Sequence, residues 1–232
     1  MTAVIETRPL DAARARDIAR AFLPDGVLGN RWNYFYTRAT LGSDPLYPAV
    51  ADALRGTTAP LLDLGCGLGL LAHTLREDGV HLPYRGVDID AGKIASARRV
   101  AERVGLRDVT FDAVDLSRVM PDHTGSVALL DVLQYVDTPA QIRILDAAAS
   151  MIVPGGKLFI RSGLETPGWR ARTSKAFDTF AAFAGWMHSA PRRYPSETLL
   201  RDRLDAAALR YAITPLNGNT PFNNWQIVAW RE

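Results

Sequence analysis

The sequence has little cysteine and no long hydrophobic run. Cys66 is the single cysteine among 232 residues, so no disulfide can form within the chain. No stretch reaches the roughly 18 apolar residues that suggest a membrane span. Residues 1–10 also lack the apolar run of a secretory signal. We therefore expect a cytoplasmic protein without a membrane span.

The sequence also lacks a large excess of either positive or negative charge. The 27 basic and 25 acidic side chains leave a net charge of +2, so no strong field attracts nucleic acid or a membrane surface. Histidines number only 4, and no cluster has the spacing of metal ligands. We expect the protein to act on a small-molecule substrate as a monomer or a homodimer, and to bind neither nucleic acid nor a metal.

From residue 60 onward, short β-like runs alternate with helical patterns, which is typical of parallel strands joined by helical crossovers. Asp90 and Ser196 precede two of the predicted helices and are candidate N-caps. The turn-rich residues 217–221 favour an antiparallel connection between the last two strands. The predicted strands are 61–64, 84–87, 109–114, 127–130, 157–161, 211–216 and 225–230.

Two regions depart from this alternation. Residues 1–58 precede the first strand and are predicted to form an N-terminal helical lid. Residues 59–232 form the predicted core, and within them residues 163–195, rich in aromatics and arginines, are interpreted as a helical cap insertion. The sequence thus predicts one α/β domain with additions at both places.

The sharpest motif lies where the first predicted strand meets a helix. It reads Asp63-Leu64-Gly65-Cys66-Gly67-Leu68-Gly69, and such glycines let the backbone approach a ligand in conformations that a Cβ would forbid. About 20 residues later, Asp88 ends the second strand at the spacing where an acid accepts hydrogen bonds from ribose hydroxyls. Asp115 follows the third strand, so three acids are predicted to face the crevice where open α/β sheets bind ligands.

This motif resembles that of the class I S-adenosylmethionine-dependent methyltransferases, and the resemblance covers about residues 60–162. It implies a Rossmann-like, doubly wound sheet of seven strands, mostly parallel, with an antiparallel last strand. It also implies S-adenosyl-L-methionine as the cofactor. In that family the acid at Asp63 helps to hold the methionine amino group, the acid at Asp88 binds the ribose, and the acid at Asp115 meets the adenine amino group.

A helix before the core covers the cofactor in many relatives, and an arginine or tyrosine from it reaches the methionine carboxylate. The resemblance gives this role to Arg38 or Tyr36; a solvated arginine and a bracing aromatic are the alternative. The predicted cofactor-binding residues are Asp63, Gly65, Cys66, Gly67, Gly69, Asp88, Ile89, Asp115, Leu116, Asp131, Arg38 and Tyr36.

Two other functions stay open. An NAD(P)-dependent oxidoreductase also has a glycine loop and a later ribose acid. Its pattern is Gly-x-Gly-x-x-Gly, however, whereas Leu70 occupies the third glycine position here, and Asp63 would repel a pyrophosphate. A non-catalytic S-adenosylmethionine-binding protein would keep the same loop.

The sequence constrains the methyl acceptor less than it constrains the cofactor. Asp131 is followed by Val132 and Leu133 rather than the Pro-Pro typical of enzymes that methylate nucleobase nitrogens, so the sequence resembles the small-molecule methyltransferases. Tyr135 and His188 are the catalytic candidates, Tyr135 as a pocket residue or a packed aromatic and His188 as a general base. Residues 34–46 and 220–225 are similar to segments of bacterial methyltransferases of aryl polyene and polyketide pathways. We therefore expect methylation of an oxygen on an aromatic or carboxylic (acyl) compound.

Overall fold

A computed structural model describes residues 8–26, 29–165, 193–216 and 224–232. Within these ranges no helix combines the length and the apolarity needed to cross a membrane. The helices are α1 (Ala12–Arg20), α2 (Trp32–Ser43), α3 (Leu46–Leu54), α4 (Leu70–Glu77), α5 (Ala91–Arg103), α6 (Thr138–Ser150) and α7 (Glu197–Ala206). The strands are β1 (Leu61–Leu64), β2 (Tyr84–Asp88), β3 (Val109–Ala113), β4 (Ser126–Leu130), β5 (Lys157–Gly163), β6 (Arg210–Pro215) and β7 (Asn224–Trp230).

The described strands form one sheet of 7 strands in the order β3-β2-β1-β4-β5-β7-β6. Neighbours from β3 to β5 pair in parallel, whereas β7 is antiparallel to both β5 and β6. This confirms the predicted mostly parallel sheet with an antiparallel last strand. The order reverses between β1 and β4, and ligands of open α/β sheets bind beside such a switch point.

Apolar residues cover both faces of the sheet, which explains why its central strands read as continuous hydrophobic runs. In β1 all 4 residues are buried. Leu62 and Leu64 pack on one face with α6 and α7. Leu61 packs on the other with α3, α4 and α5.

Side-chain caps set the starts of several helices. Asp90 Oδ1 accepts hydrogen bonds from the amides of Gly92 and Lys93 at 2.9 and 3.0 Å. Ser196 Oγ accepts one from the Leu199 amide at 3.1 Å. Both predicted N-caps are therefore confirmed, and each satisfies an amide that the helix leaves unpaired.

The helices that precede the sheet pack around the glycine loop. α3 contributes Leu46, Val50 and Leu54 to the core on the α4 side of the sheet. α1 and α2 pack on each other, and their buried residues contact Leu68 and Leu70, which flank the last glycine of the loop. The N-terminal helices thus reach the predicted ligand site directly.

The predicted cap insertion falls largely on residues 166–192, which lie outside the described residues. Its two ends are described, and they lie side by side. The Glu165 amide donates to the Pro195 carbonyl at 3.0 Å, and Glu165 forms an isolated parallel bridge with Ser196. The chain therefore leaves the end of β5 and returns to the same place.

We predict that Ser196→Ala lowers the free energy of unfolding by about 1 kcal/mol, because the first turn of α7 loses its capping oxygen. Ser196→Asn retains a capping oxygen and should stay within about 0.5 kcal/mol of the wild type. Urea unfolding followed by circular dichroism measures both. Equal losses in the two variants would show that the cap does not stabilise α7.

Candidate active site

The glycine loop joins β1 to α4 and is held by backbone contacts. Gly65, Gly67 and Gly69 all have positive φ angles, of 80°, 56° and 74°. The amides of Gly65 and Cys66 donate to the Val87 carbonyl at 2.7 and 2.9 Å, which ties the loop to the end of β2.

The three glycines differ in their surroundings. A Cβ on Gly65 would overlap the Val132 side chain, and one on Gly69 would lie 2.5 Å from the Phe111 ring. A Cβ on Gly67 would meet nothing within 4 Å. Gly65 and Gly69 therefore permit close packing, while Gly67 borders open space that can accommodate a ligand.

Asp88 is fixed beside this opening. Its Oδ2 accepts a hydrogen bond from the Gly67 amide at 2.9 Å, and its Oδ1 accepts one from the Asp90 amide at 2.9 Å. Each carboxylate oxygen retains further acceptor capacity. The structure thus presents Asp88 in a fixed orientation from which it can accept bonds from ribose hydroxyls.

Asp63 lies in β1 and is only 1% exposed. Tyr84 Oη donates to its Oδ2 at 2.6 Å, while Oδ1 is buried without a hydrogen-bond partner. Burial raises the pKa of Asp63 to about 7, against the lowering effect of the Tyr84 bond. A buried acid with an unsatisfied oxygen suits a cationic amino group, directly or through a water.

The side of the site beyond β2 holds Ile89, Asp115 and Leu116. Ile89 directly follows Asp88 and is 70% exposed, which is unusual for an isoleucine and suits stacking by a flat ring. Asp115 Oδ1 accepts bonds from the Ser117 amide and hydroxyl at 2.9 and 2.6 Å, and these bonds lower its pKa. Leu116 packs against the hydrophobic core.

Residues 131–135 follow β4 and lie against the glycine loop through Val132. Asp131 has a φ of 56°, a conformation that few side chains adopt and that aspartate tolerates better than most. Tyr135 belongs to a 3₁₀ turn, Leu133–Tyr135. Burial raises the pKa of Tyr135 to about 12, so at neutral pH it can donate a hydrogen bond but cannot act as a base.

A buried ion cluster, which sequence reasoning missed, joins this segment to the N-terminal helices. We call it the Arg161 bridge, and it comprises Arg161, Asp131 and Asp44. Arg161 Nη1 donates to Asp44 Oδ2 at 2.6 Å, and Nη2 donates to Asp131 Oδ2. Asp44 lies between α2 and α3 and also accepts from the Leu46 amide at 3.0 Å. The one available signal was a charged residue inside the apolar strand β5, since a buried arginine requires partners.

The two candidates on α2 occupy different environments. Tyr36 is close enough to Asp131, Arg161 and Asp44 for their charges to affect its pKa, which burial raises. Arg38 is exposed and lines an apolar groove of about 830 Å³ between α1 and α2. The structure therefore brings Tyr36, rather than Arg38, towards the carboxyl edge of the sheet.

Histidines contribute little to the described site. His188 lies outside the described residues. His73 is buried against Phe22, with ring centroids 5.2 Å apart, and burial lowers its pKa to about 4. His123 bonds to the Ser126 carbonyl at 2.9 Å. The described ranges contain no group of His, Cys, Asp and Glu side chains able to hold a metal ion.

Comparisons with known proteins agree with this geometry. Residues 61–156 match the model of a family described as a methyltransferase domain. The ubiquinone biosynthesis O-methyltransferase of Xylella fastidiosa (strain 9a5c) is 35% identical over 104 residues, which are 44% of this chain and 41% of that protein. The protein of the same name from Aeromonas salmonicida is 31% identical over 104 residues, 43% of this chain and 41% of that one. The chain thus matches about two fifths of the length of these relatives.

Solved structures extend the similarity in fold to most of the chain. The magnesium protoporphyrin IX methyltransferase of Synechocystis PCC 6803, solved with bound SAH, has a TM-score of 0.64 at 18% identity and covers 93% of this chain and 94% of its own. The pyocyanin biosynthetic protein PhzM has a TM-score of 0.63 at 17% identity and covers 93% of this chain and 62% of its own.

Residues 61–156 therefore match a methyltransferase domain, and the described fold is shared with a solved methyltransferase. This match agrees with the methyltransferase domain expected from the glycine loop.

The pKa of Asp63 leads to a prediction about cofactor binding. A cationic amino group favours the ionised carboxylate, so binding requires loss of the proton that Asp63 carries below pH 7. We expect the dissociation constant of S-adenosylhomocysteine to be about tenfold higher at pH 6 than at pH 8. Isothermal titration calorimetry in the two buffers measures this.

Two variants separate Asp63 from other titrating groups. Tyr84→Phe removes a hydrogen bond that lowers the pKa of Asp63, so the loss of affinity should begin at a higher pH. Asp63→Asn should abolish the dependence on pH. Wild-type affinity that is constant from pH 6 to pH 8 would contradict the contact between Asp63 and the amino group.

Proposed function

We propose that the protein transfers the methyl group of S-adenosylmethionine to an oxygen of a small molecule. The observation that carries the proposal is the arrangement of the glycine loop, in which open space beside Gly67 lies next to the fixed carboxylate of Asp88. Asp63 supplies a buried acid with an unsatisfied oxygen on the adjoining strand.

These residues fit an amino acid joined to a nucleoside. Asp63 is proposed to hold the amino group, Asp88 the ribose hydroxyls, and Ile89 with Asp115 and Leu116 the adenine. The backbone of Gly65, Cys66, Gly67 and Gly69 forms the wall beside the methionine portion, and Tyr36 closes the site from α2. The bound cofactor supplies a methyl group on a positively charged sulfur.

Transfer of that methyl group is a direct displacement, so the protein contributes alignment of the acceptor and exclusion of water. The segment of residues 131–135 is well placed for alignment, because it lies against the glycine loop through Val132. The helices α1 and α2, which pack around Leu68 and Leu70, are proposed to exclude water as a lid.

An oxygen acceptor is favoured by the relatives, since those with 35% and 31% identity are both named O-methyltransferases. We further propose an aromatic or acyl compound as the acceptor. The net charge of +2 supports action on small molecules rather than on nucleic acid. We propose that the protein acts in the cytoplasm as a monomer or a homodimer.

The oxidoreductase alternative is disfavoured by electrostatics. A dinucleotide would place a pyrophosphate near Asp63, and a carboxylate repels a phosphate. Calorimetry with S-adenosylhomocysteine and with NAD distinguishes the two functions. We expect binding of the first and none of the second; tight binding of NAD would overturn the proposal.

We predict that Asp88→Ala weakens the binding of S-adenosylhomocysteine by about 1 to 3 kcal/mol, because ribose hydroxyls and the Gly67 amide lose their acceptor. The matched control is Asp112→Ala on β3. This carboxylate is 41% exposed and pairs with Arg85 and Arg98, so its loss should leave affinity unchanged. Equal affinities in the Asp88 variant and the wild type, with the fold intact, would refute the ribose contact.

A further inference from the structure

Asp131 follows β4 at its carboxyl end and combines partial exposure, an ion pair and an unusual backbone conformation. Its side chain remains 28% exposed although it pairs with Arg161. One carboxylate oxygen, Oδ2, accepts from Arg161, and Gln134 also bonds to the side chain. Residues in rarely populated backbone conformations cluster at functional sites, and Asp131 has such a φ angle.

Three tyrosines lie within range of the charge of this carboxylate. Tyr36 from α2, Tyr135 from the turn after β4 and Tyr194 before α7 are all close enough for the charge of Asp131 to raise their pKa values. Tyr194 packs on the end of β5, where a Cβ on Gly163 would lie 2.6 Å from its ring. The result is a carboxylate among aromatic side chains, a combination suited to a flat molecule with a polar substituent.

Hydrogen bonds hold the segment before α7 close to this site. Gln141 Nε2 donates to the Arg193 carbonyl at 2.9 Å, and the Arg193 amide donates to the Gln134 carbonyl at 3.2 Å. Tyr194 is therefore fixed relative to the turn that carries Tyr135. The surroundings of Asp131 therefore come from several separate parts of the chain.

We infer that Asp131 faces the acceptor rather than the cofactor, and that it receives the proton of a neutral aromatic hydroxyl group. This inference rests on the proposed function and departs from the sequence-based assignment of Asp131 to the cofactor.

Charge selects the class of acceptor. The Arg161 bridge contains one guanidinium and two carboxylates, so its formal charge is negative. Each terminal nitrogen of Arg161 already donates to a carboxylate, of Asp44 or of Asp131, so the cluster has no excess positive charge to attract a substrate carboxylate. A carboxylic acid, ionised at neutral pH, would be repelled, whereas a phenol can donate a hydrogen bond to Asp131.

The proposed step balances in atoms and charge. A bond forms between the acceptor oxygen and the methyl carbon while the bond from that carbon to the sulfonium sulfur breaks, and its electron pair stays on sulfur. The hydroxyl proton moves to the Asp131 carboxylate and then to solvent. Burial raises the pKa of Asp131 from its usual value, while Arg161 opposes this rise; a raised pKa improves a carboxylate as a general base.

The acid limb of the pH–rate profile should respond to the charges around Asp131. Asp44 raises the pKa of Asp131 and Arg161 lowers it. Asp44→Asn should therefore move the acid limb to lower pH. The titratable groups that face Asp131 are Arg161 on β5, Asp44 between α2 and α3, Tyr36 on α2, Tyr135 on the turn after β4 and Tyr194 before α7.

The experiment uses catechol and benzoate as probe acceptors, with S-adenosylhomocysteine formation as the readout, and compares the wild type with Asp131→Asn and Asp44→Asn. We expect methylation of catechol and none of benzoate. Asp131→Asn should lower kcat roughly 100-fold while its affinity for S-adenosylhomocysteine, measured by calorimetry, stays within about twofold of the wild type. Asp44→Asn removes the other charged partner of Arg161 and serves as the matched control. If the bridge had a purely structural role, the two variants would lose kcat equally.

Each outcome decides the matter. Weaker binding of S-adenosylhomocysteine by folded Asp131→Asn would return Asp131 to the cofactor site and overturn the inference. Preferred methylation of benzoate, or turnover of neither probe by a protein that binds S-adenosylhomocysteine, would overturn it while the proposed cofactor site stands. Failure of the wild type to bind S-adenosylhomocysteine would instead refute the proposed function. If Asp131→Asn does not fold, the pH profile of Asp44→Asn decides, and an acid limb that does not move contradicts the inference.

Discussion

The carboxyl edge of the sheet is organised by the high free-energy cost of removing carboxylates from water. Asp63, Asp88 and Asp131 follow or end three neighbouring strands, and each is stabilised in a different way. Tyr84 donates to Asp63, two backbone amides donate to Asp88, and Arg161 donates to Asp131. Because these partners differ, the three carboxylates along one edge of the sheet have different properties. Asp63 can be protonated near neutral pH, Asp88 is a fixed hydrogen-bond acceptor and Asp131 is ion-paired.

The Arg161 bridge connects distant parts of the chain by charge, in addition to the apolar packing of α3 on the sheet. Asp44 belongs to the turn between α2 and α3, while Arg161 and Asp131 belong to the centre of the sheet. A buried ion pair contributes little net stability when compared with apolar packing, but loss of one partner is strongly destabilising. The bridge is therefore best understood as fixing where the N-terminal helices lie relative to the end of β4.

Local patterns were sufficient to predict the strands, the glycine loop and the caps at Asp90 and Ser196, because each depends on residues near in sequence. The antiparallel last strand was indicated both by the turn-rich residues 217–221 and by the resemblance, whereas the order of the strands was not predicted. The Arg161 bridge was missed because its members are 30 and 117 residues apart, and no periodicity reports such a contact. Asp63 was predicted from its motif, but its raised pKa depends on burial and on Tyr84, which only the folded chain brings together.

The β-bridge between Glu165 and Ser196 has a consequence for how this chain can be altered. Because the chain departs from β5 and rejoins before α7 at one point, a peptide of another length or composition can be exchanged there without altering strand register. The glycine loop and Asp88 lie at other strands of the sheet, so such an exchange would leave them in place.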